Sequence, residues 1–501
     1  MSITTSDAAT PPDISPKPRN RWLALSVIAV AQLLIVLDAT IVNIALPTAQ
    51  VALNISDADR QWMITAYTLA FGGLLLLGGR IADFTGRKRA FIIGLLGFAG
   101  ASALGGLATN AETLFAARAL QGAFGALMAP AALSLLTVTF TDAKERARAF
   151  GVYGAIAGGG GAVGLLLGGV LTEYASWRWT LLVSTPIAIV AAVAAARFVG
   201  ESRAEGNTRY DLPGALTSTA GLVALVYGFT KASEDGWGSA VTIGWLVAAV
   251  LLLVGFVVIE LRSSHPLLPM RVILDRNRGG AYLAALLIGS GLFGVFLFLT
   301  FYLQLTLGYS ALMTGVAFLP FTFGIIAGAG VAAQLQTRLG PRVLMFSGLL
   351  ASAIGMVLLT RIGIDTSFWS HVLPGLVIVS FGMGVTFGPM SNTALLGVAD
   401  HDAGVASALI NTTQQIGGSL GTALLNTIFT SAVAGYIADH RSEITNPDQL
   451  PALQATATVH SYTIAFWVSA GLIGLAALIS VVLVRANRDQ VSSNTGAPVA
   501  M

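Results

Sequence analysis

The 501-residue chain contains no cysteine, which excludes disulfides and thiolate metal sites. Its five histidines, His265, His371, His401, His440 and His460, are scattered without metal-ligand spacing and read as loop or span-edge residues. Charge is scarce: 10% of the residues are Asp, Glu, Lys or Arg, against about 25% in a soluble protein. No G-x-x-x-x-G-K-[ST] occurs, so the chain carries no phosphate loop for ATP, and transport, if any, must run on an ion gradient. One G-x-G-x-x-G is present, Gly159, Gly161 and Gly164 in "GGGGAVGLLLGG". It lies inside an apolar run of membrane-crossing length rather than between a strand and a soluble helix, so it is not a dinucleotide turn. Small residues there let another backbone approach, or leave a helix easy to bend.

What is present is apolar length. Hydrophobic residues make up 55% of the chain, and runs of about 20 residues, enough to cross a hydrocarbon core, recur throughout. Fourteen are expected, near 22–46, 61–79, 90–108, 112–138, 149–171, 177–198, 212–230, 240–261, 279–306, 313–336, 342–360, 369–396, 404–433 and 462–484. With both ends cytoplasmic, inner segments hold 21 of the 27 Lys and Arg; the outer ones hold Arg60, Arg178, Lys231, Arg361 and Arg441, and Arg118 lies inside a span. Basic residues placed in short loops in this way do not form a nucleic-acid surface.

The polar stretches divide the chain into a disordered cytoplasmic tail (1–21), six spans (22–198), a linker (199–211), two inserted helices (212–261), a second linker (262–278), six more spans (279–485) and a tail (486–501). Gly86 in "DFTGRKR" matches Gly340 in "TRLGPRV" at an offset of 254, and "GGAVG" (160–164) matches "GGSLG" (417–421) at 257. The expected fold is therefore all-α and polytopic, two duplicated six-helix bundles with two helices inserted between them, an arrangement that suits alternating access.

Within "VLDATIVNIALP" (36–47), Asp38 and Asn43 interrupt the first run. An ionised Asp at the centre of a span costs about 2.5–3.5 kcal/mol and faces protein or water. Protonation removes most of that cost, so an acid exposed alternately to two aqueous sides can load and release a proton. Asp38 reads either as a proton-coupling acid or as a structural hydrogen-bonding group satisfied by helix ends or Asn43. Arg118, flanked by Gln121, shares a helical face with Gly122, Gly125 and Ala129. In the thirteenth span, Asn411, Gln415, Gly418, Thr422 and Asn426 form a polar stripe, with Gln414 beside it, which must face protein or water. Asn43, Gln121, Asn411, Gln414, Gln415 and Thr422 are the candidate substrate-cavity residues; helix packing alone is the competing account. Phe293, Phe296, Phe298, Phe301, Phe318, Phe321 and Phe323 cluster in spans nine and ten, facing lipid or offering stacking surfaces to flat cations.

"GGRIADFTGRKR" (78–89) resembles the loop between helices two and three of the major facilitator superfamily, G-x-[LI]-[AS]-D-x-x-G-[RK]-[RK]. "LDATIVNIALP" (37–47) and "ARALQGAFGALMAPAALSLL" (117–136) resemble first- and fourth-helix motifs of its fourteen-helix drug:proton antiporter family. The fifth-helix motif is met at Gly164, Gly168 and Gly169, with Leu165 where the family has proline. The resemblance implies a part for Arg118 in proton transfer beside Asp38, against a fixed ion pair as the alternative. It implies a gating role for Gly79, Arg80, Asp83, Gly86, Arg87 and Lys88, with Asp83 meeting the start of span thirteen near 404–407; the loop's basic residues would sit at the inner headgroups in any case. It implies flexing or packing roles for Gly158, Gly161, Gly164, Gly168 and Gly169.

The expected function is proton-coupled export of amphiphilic or cationic drugs across a bacterial inner membrane, with no enzymatic activity and no cofactor. The partners are a small-molecule substrate, protons and the lipid bilayer, without nucleic acid or ATP, in a monomeric transport unit. Export of one specific metabolite is the alternative. A membrane enzyme acting on lipid-linked substrates would need clustered acids, and no span contains them.

Overall fold

The structure, a computed structural model, describes residues 18–140, 142–203, 211–263, 266–268, 270–398, 403–443 and 446–486. The tail expected over 1–21 is described only from Pro18, where it is already helical; 204–210 of the first linker, His265, His401 and everything from 487 lie outside the described residues.

Apolar runs of this length can satisfy their backbone groups in lipid only as helices, and among the described residues no strand occurs. Fourteen long helices follow one another: α1 (Pro18–Ala52), α2 (Trp62–Thr85), α3 (Arg87–Gly106), α4 (Ala111–Thr139), α5 (Ala143–Tyr174), α6 (Trp179–Phe198), α7 (Leu212–Asp235), α8 (Ala240–Arg262), α9 (Arg276–Thr306), α10 (Ala311–Gln336), α11 (Arg338–Leu359), α12 (Phe368–Leu395), α13 (Ala403–His440) and α14 (Leu450–Leu483). Thirteen qualify as membrane spans on length and hydropathy among the described residues, and α5 is the fourteenth long helix in the series. Several start at side-chain caps: Asn110 accepts from the Thr113 N–H (2.8 Å), Asp211 from Gly214 (2.8 Å) and Ser310 from Met313 (3.2 Å). Hydropathy marks only the lipid-immersed part of each helix. For that reason α14 begins at Leu450, well ahead of the expected 462, through the polar turns of "LPALQATATVH", and α13 runs on to His440.

The two sets of six repeat their packing. α1 lies on α5, α2 on α4, and α3 on both α4 and α6; correspondingly α9 lies on α13, α10 on α12, and α11 on both α12 and α14. The turns at Gly86 (φ 111°) and Gly340 (φ 75°) stand at matching places in left-handed backbone, which glycine adopts without steric penalty. α8 is the most lipid-facing helix, with only 11% of its central stretch buried. α7 instead straddles the seam between the halves, packing on α2 and α13. Gln61 donates to the Thr230 hydroxyl (2.9 Å) and the Thr427 hydroxyl to the Phe229 carbonyl (2.8 Å), tying α7 to both sides.

The side-chain hydrogen bonds that cross between the halves, among the described residues, sit toward the end that carries the Arg60 loop. Gln304 donates to the Ile44 carbonyl (2.9 Å), Glu173 accepts from the Leu312 N–H (2.9 Å), Thr68 and Ser419 share a hydrogen bond (2.7 Å), and Arg60 donates to Asn426 (3.1 Å). The Gly86 end shows no such side-chain hydrogen bond between the halves among the described residues.

Candidate functional site

Four helices of the first half converge on Asp38. Its carboxylate accepts from Arg118 Nη1 (2.7 Å, Oδ2) and from Gln121 Nε2 (2.9 Å, Oδ1). Arg118 also donates through Nε to the Met63 carbonyl (2.9 Å) and through Nη1 to Gln121 Oε1 (2.8 Å), and its Cζ lies 4.6 Å from the centroid of the Tyr67 ring. Gln121 Nε2 reaches Ser102 Oγ on α3 at 2.8 Å. Asp38, Gln121 and Ser102 are fully buried and Arg118 is 2% exposed. A buried ion pair persists only when its remaining lone pairs and protons are also satisfied, and both carboxylate oxygens have a donor. The Tyr67 hydroxyl is buried beside the pair without a hydrogen-bond partner among the described residues.

Of the two readings of Asp38, neither the Asn43 bond nor a helix end is its partner: Asn43 donates to the Ala39 carbonyl of its own turn (3.1 Å). Nor does Asp38 open onto water in this conformation. Asn43 is 8% exposed and Gln121 is committed to the ion pair, so neither lines an open cavity here. The small face beside Arg118 serves to admit α2: a Cβ on Gly122 would lie 2.3 Å from the Tyr67 carbonyl, and one on Gly125 3.0 Å from the Phe71 ring.

At the other end of α2, Gly79 packs on Pro130, Arg80 is part-buried, and Asp83 pairs with Arg87 (2.8 Å). Glu201, which sequence reasoning passed over, holds this loop: its carboxylate accepts from the Lys88 N–H (3.1 Å) and fills the space a Cβ on Gly86 would need. Arg87 N–H donates to the Ser202 carbonyl (2.9 Å) and Lys88 Nζ to that of Ala196 (2.7 Å). Residues 399–402, just before α13, and the side chains of Ala403, Val405 and Ser407 lie outside those described, so the expected Asp83 contact falls largely there.

α5 runs unbroken through Gly158, Gly161, Gly164, Gly168 and Gly169, with Leu165 buried where the motif has proline. A Cβ on Gly164 would meet Thr40 Oγ1 at 2.0 Å, one on Gly168 the Ile41 carbonyl at 2.7 Å, and one on Gly169 Leu312 of the other half at 2.7 Å. In the geometry seen here these glycines seat α1 and α10 against α5. The α13 stripe divides. Asn411 is exposed and Gln414 and Gln415 are half-buried, Gln415 against Gly72; Gly418 packs on Phe293; Thr422 is buried, its hydroxyl without a partner among the described residues; Asn426 binds Arg60.

The second half contributes no charge at comparable depth: Asp, Glu, Lys and Arg are absent from 279–337, 366–399 and 403–438. Besides Phe293, which packs on Gly418, the phenylalanines of α9 and α10 singled out above sort into three groups. Phe323 is 66% exposed, Phe296 packs on Phe318 and Phe321, and Phe298 and Phe301 surround Arg60, which the sequence had shown only as an outer-loop charge. An arginine in a short loop facing an aromatic-rich span was the available signal.

The chain as a whole is similar to known proteins. The chain is 51% identical to a puromycin resistance protein of Streptomyces alboniger, over 96% of this chain and 94% of that one. It is 40% identical to a cephamycin export protein of Amycolatopsis lactamdurans, over 83% and 86%. Its fold matches a bacterial homologue of the lysosomal transporter Spinster with a TM-score of 0.64, at 16% identity, over 97% and 100%. Residues 28–422 match the Major Facilitator Superfamily, and the chain belongs to that family.

Proposed function

We propose that the chain is a proton-driven exporter of amphiphilic, cationic organic compounds across a bacterial inner membrane, with the N-terminal and C-terminal tails cytoplasmic, the Arg60 end outside and the Gly86 end inside. The observation that carries the proton reading is the sealed Asp38–Arg118–Gln121 cluster; the names of the relatives, puromycin resistance and cephamycin export, support drug export.

The pair is balanced only while Asp38 is ionised. A proton on Asp38 leaves Arg118 buried without its counter-charge, and breaking a buried pair in this way is worth about 3–5 kcal/mol. That penalty is relieved if α1 and α4 shift to admit water or a new acceptor, which links protonation to rocking of the halves. A proton falling through about 100 mV supplies about 2.3 kcal/mol, enough for a roughly fifty-fold substrate gradient. Asp83 would latch the Gly86 end against the start of α13 in the alternate state, where exposed N–H groups favour an anion. Asn411, Gln414 and Gln415 would meet substrate from the second half. The six-two-six division at 22–198, 212–261 and 279–485 provides the moving bodies, and one chain is the transport unit.

A second reading, export of one particular compound, is favoured by relatives named for single antibiotics. Proteoliposomes with an imposed pH gradient and a panel of cationic dyes and antibiotics test both. The expected result is gradient-dependent movement of several cations that Asp38→Asn abolishes at matched protein amount. Movement of a single compound selects the second reading; full activity of Asp38→Asn overturns the proton role.

A further inference from the structure

Arg60 stands in the loop between α1 and α2, outside the apolar stretches, yet its side chain is only 3% exposed. A guanidinium presents five N–H donors. Here Nε donates to Asn426 Oδ1 at 3.1 Å, Nη1 approaches Asp57 Oδ1 only to 3.6 Å, and Nη2 is buried without an acceptor among the described residues. Asp57 is 66% exposed, so that ion pair holds little. What surrounds the group is aromatic. The guanidinium carbon lies 4.5 Å from the centroid of Phe301, 4.6 Å from Phe429 and 5.8 Å from Phe298, and Tyr462 stacks on Phe429 at 5.1 Å behind them. Ring faces are negative, and a desolvated cation between them is held without hydrogen-bond acceptors.

The cation comes from the first half, and every ring of the cage from α9, α13 or α14 of the second. The contact therefore exists only while the halves are together at this end, and parting them leaves the cage without its cation. Beyond the single bond to Asn426, the group is held by ring faces rather than by directed acceptors, so the cage selects for positive charge.

We infer that Phe298, Phe301, Phe429 and Tyr462 form an organic-cation site on the exit path, which Arg60 fills as a built-in ligand when the Arg60 end is shut. This rests on the exporter reading. A leaving cation occupies the cage while the end is open, and Arg60, returning as the halves close, displaces it outward and blocks its return.

Thr68 and Ser419 touch across the halves at 2.7 Å, and the chain has no native cysteine, so a Thr68→Cys/Ser419→Cys pair reports closure of this end through disulfide yield. In the full-length protein in nanodiscs, Arg60→Gln is expected to lower the yield at least threefold and Arg60→Lys to retain most of it. Tetraphenylphosphonium is expected to lower the yield at least threefold, an effect abolished by Phe429→Leu or Phe301→Leu, while uncharged triphenylphosphine oxide does nothing. An unchanged yield in Arg60→Gln, an equal loss in Arg60→Lys, or a tetraphenylphosphonium effect that survives both cage variants or is matched by the uncharged probe overturns the proposal. If the expected pattern holds but no cation moves in proteoliposomes, the exporter reading fails and the cation site stands.

Discussion

Arg118 serves three acceptors, Met63 O, Asp38 Oδ2 and Gln121 Oε1, and the fork geometry of a guanidinium is what lets one side chain do so. A lysine keeps the charge but reaches fewer of them. Arg118→Lys is expected to leave the protein folded while cutting pH-driven efflux at least tenfold; wild-type efflux in that variant would show that charge alone suffices. Arg118→Met leaves Asp38 buried without a counter-ion and is expected to lower the melting temperature in detergent more than the Asp38→Asn/Arg118→Met double variant does, because the two sites share one network. Asp38 and Arg118 were legible in the sequence because a charge inside a crossing run is conspicuous. Ser102, Tyr67 and the Met63 carbonyl were not: serine and tyrosine are ordinary in spans, and the cluster joins residues 38, 63, 102 and 118 from four helices with no local pattern pairing them.

At the scale of the element, close helix contacts depend on glycine. A Cβ on Gly122 would lie 2.3 Å from the Tyr67 carbonyl of α2, whereas one on Gly244 of α8 meets nothing within 4 Å. Gly122→Val is expected to lower the melting temperature in detergent by an amount matching about 1–3 kcal/mol or more of overpacking, and Gly244→Ala to leave it unchanged or slightly raised. Equal effects from the two would remove the steric account. The helices were legible from hydropathy, and the turns at Gly86 and Gly340 from their spacing; helix ends that outrun the lipid, as at Leu450, were not, because a polar helical extension looks like a loop in composition. The purpose of α7 was equally hidden. Its run "DLPGALTSTAGLVALVYG" carries no charge after Asp211, and only packing shows it lying across both halves through Thr230 and Phe229.

For the whole molecule, the ties between the halves at the Arg60 end predict reciprocity. The Thr68→Cys/Ser419→Cys pair is expected to cross-link in the conformation described, and an Asp83→Cys/Gly404→Cys pair in the opposite one. Conditions that raise one yield, such as saturating substrate or an imposed pH gradient, should lower the other. Two yields that rise together would contradict rocking about the α2–α7–α13 seam. The duplicated plan of the two halves was readable from offsets in sequence, but where the side-chain ties between the halves lie was not, since they join distant segments, such as Gln304 with Ile44, that no local pattern pairs.

Of the two copies of the duplication, only the first holds a charged pair at mid-span depth, Asp38 with Arg118, while 279–337, 366–399 and 403–438 of the second contain no Asp, Glu, Lys or Arg. Under the proton-driven reading proposed above, twin frames carry an unequal load: one would answer to the membrane voltage and to acid, while its sibling could diversify its lining toward new cargo without disturbing the fuel supply. Drift in what is pumped need not alter what drives the pumping.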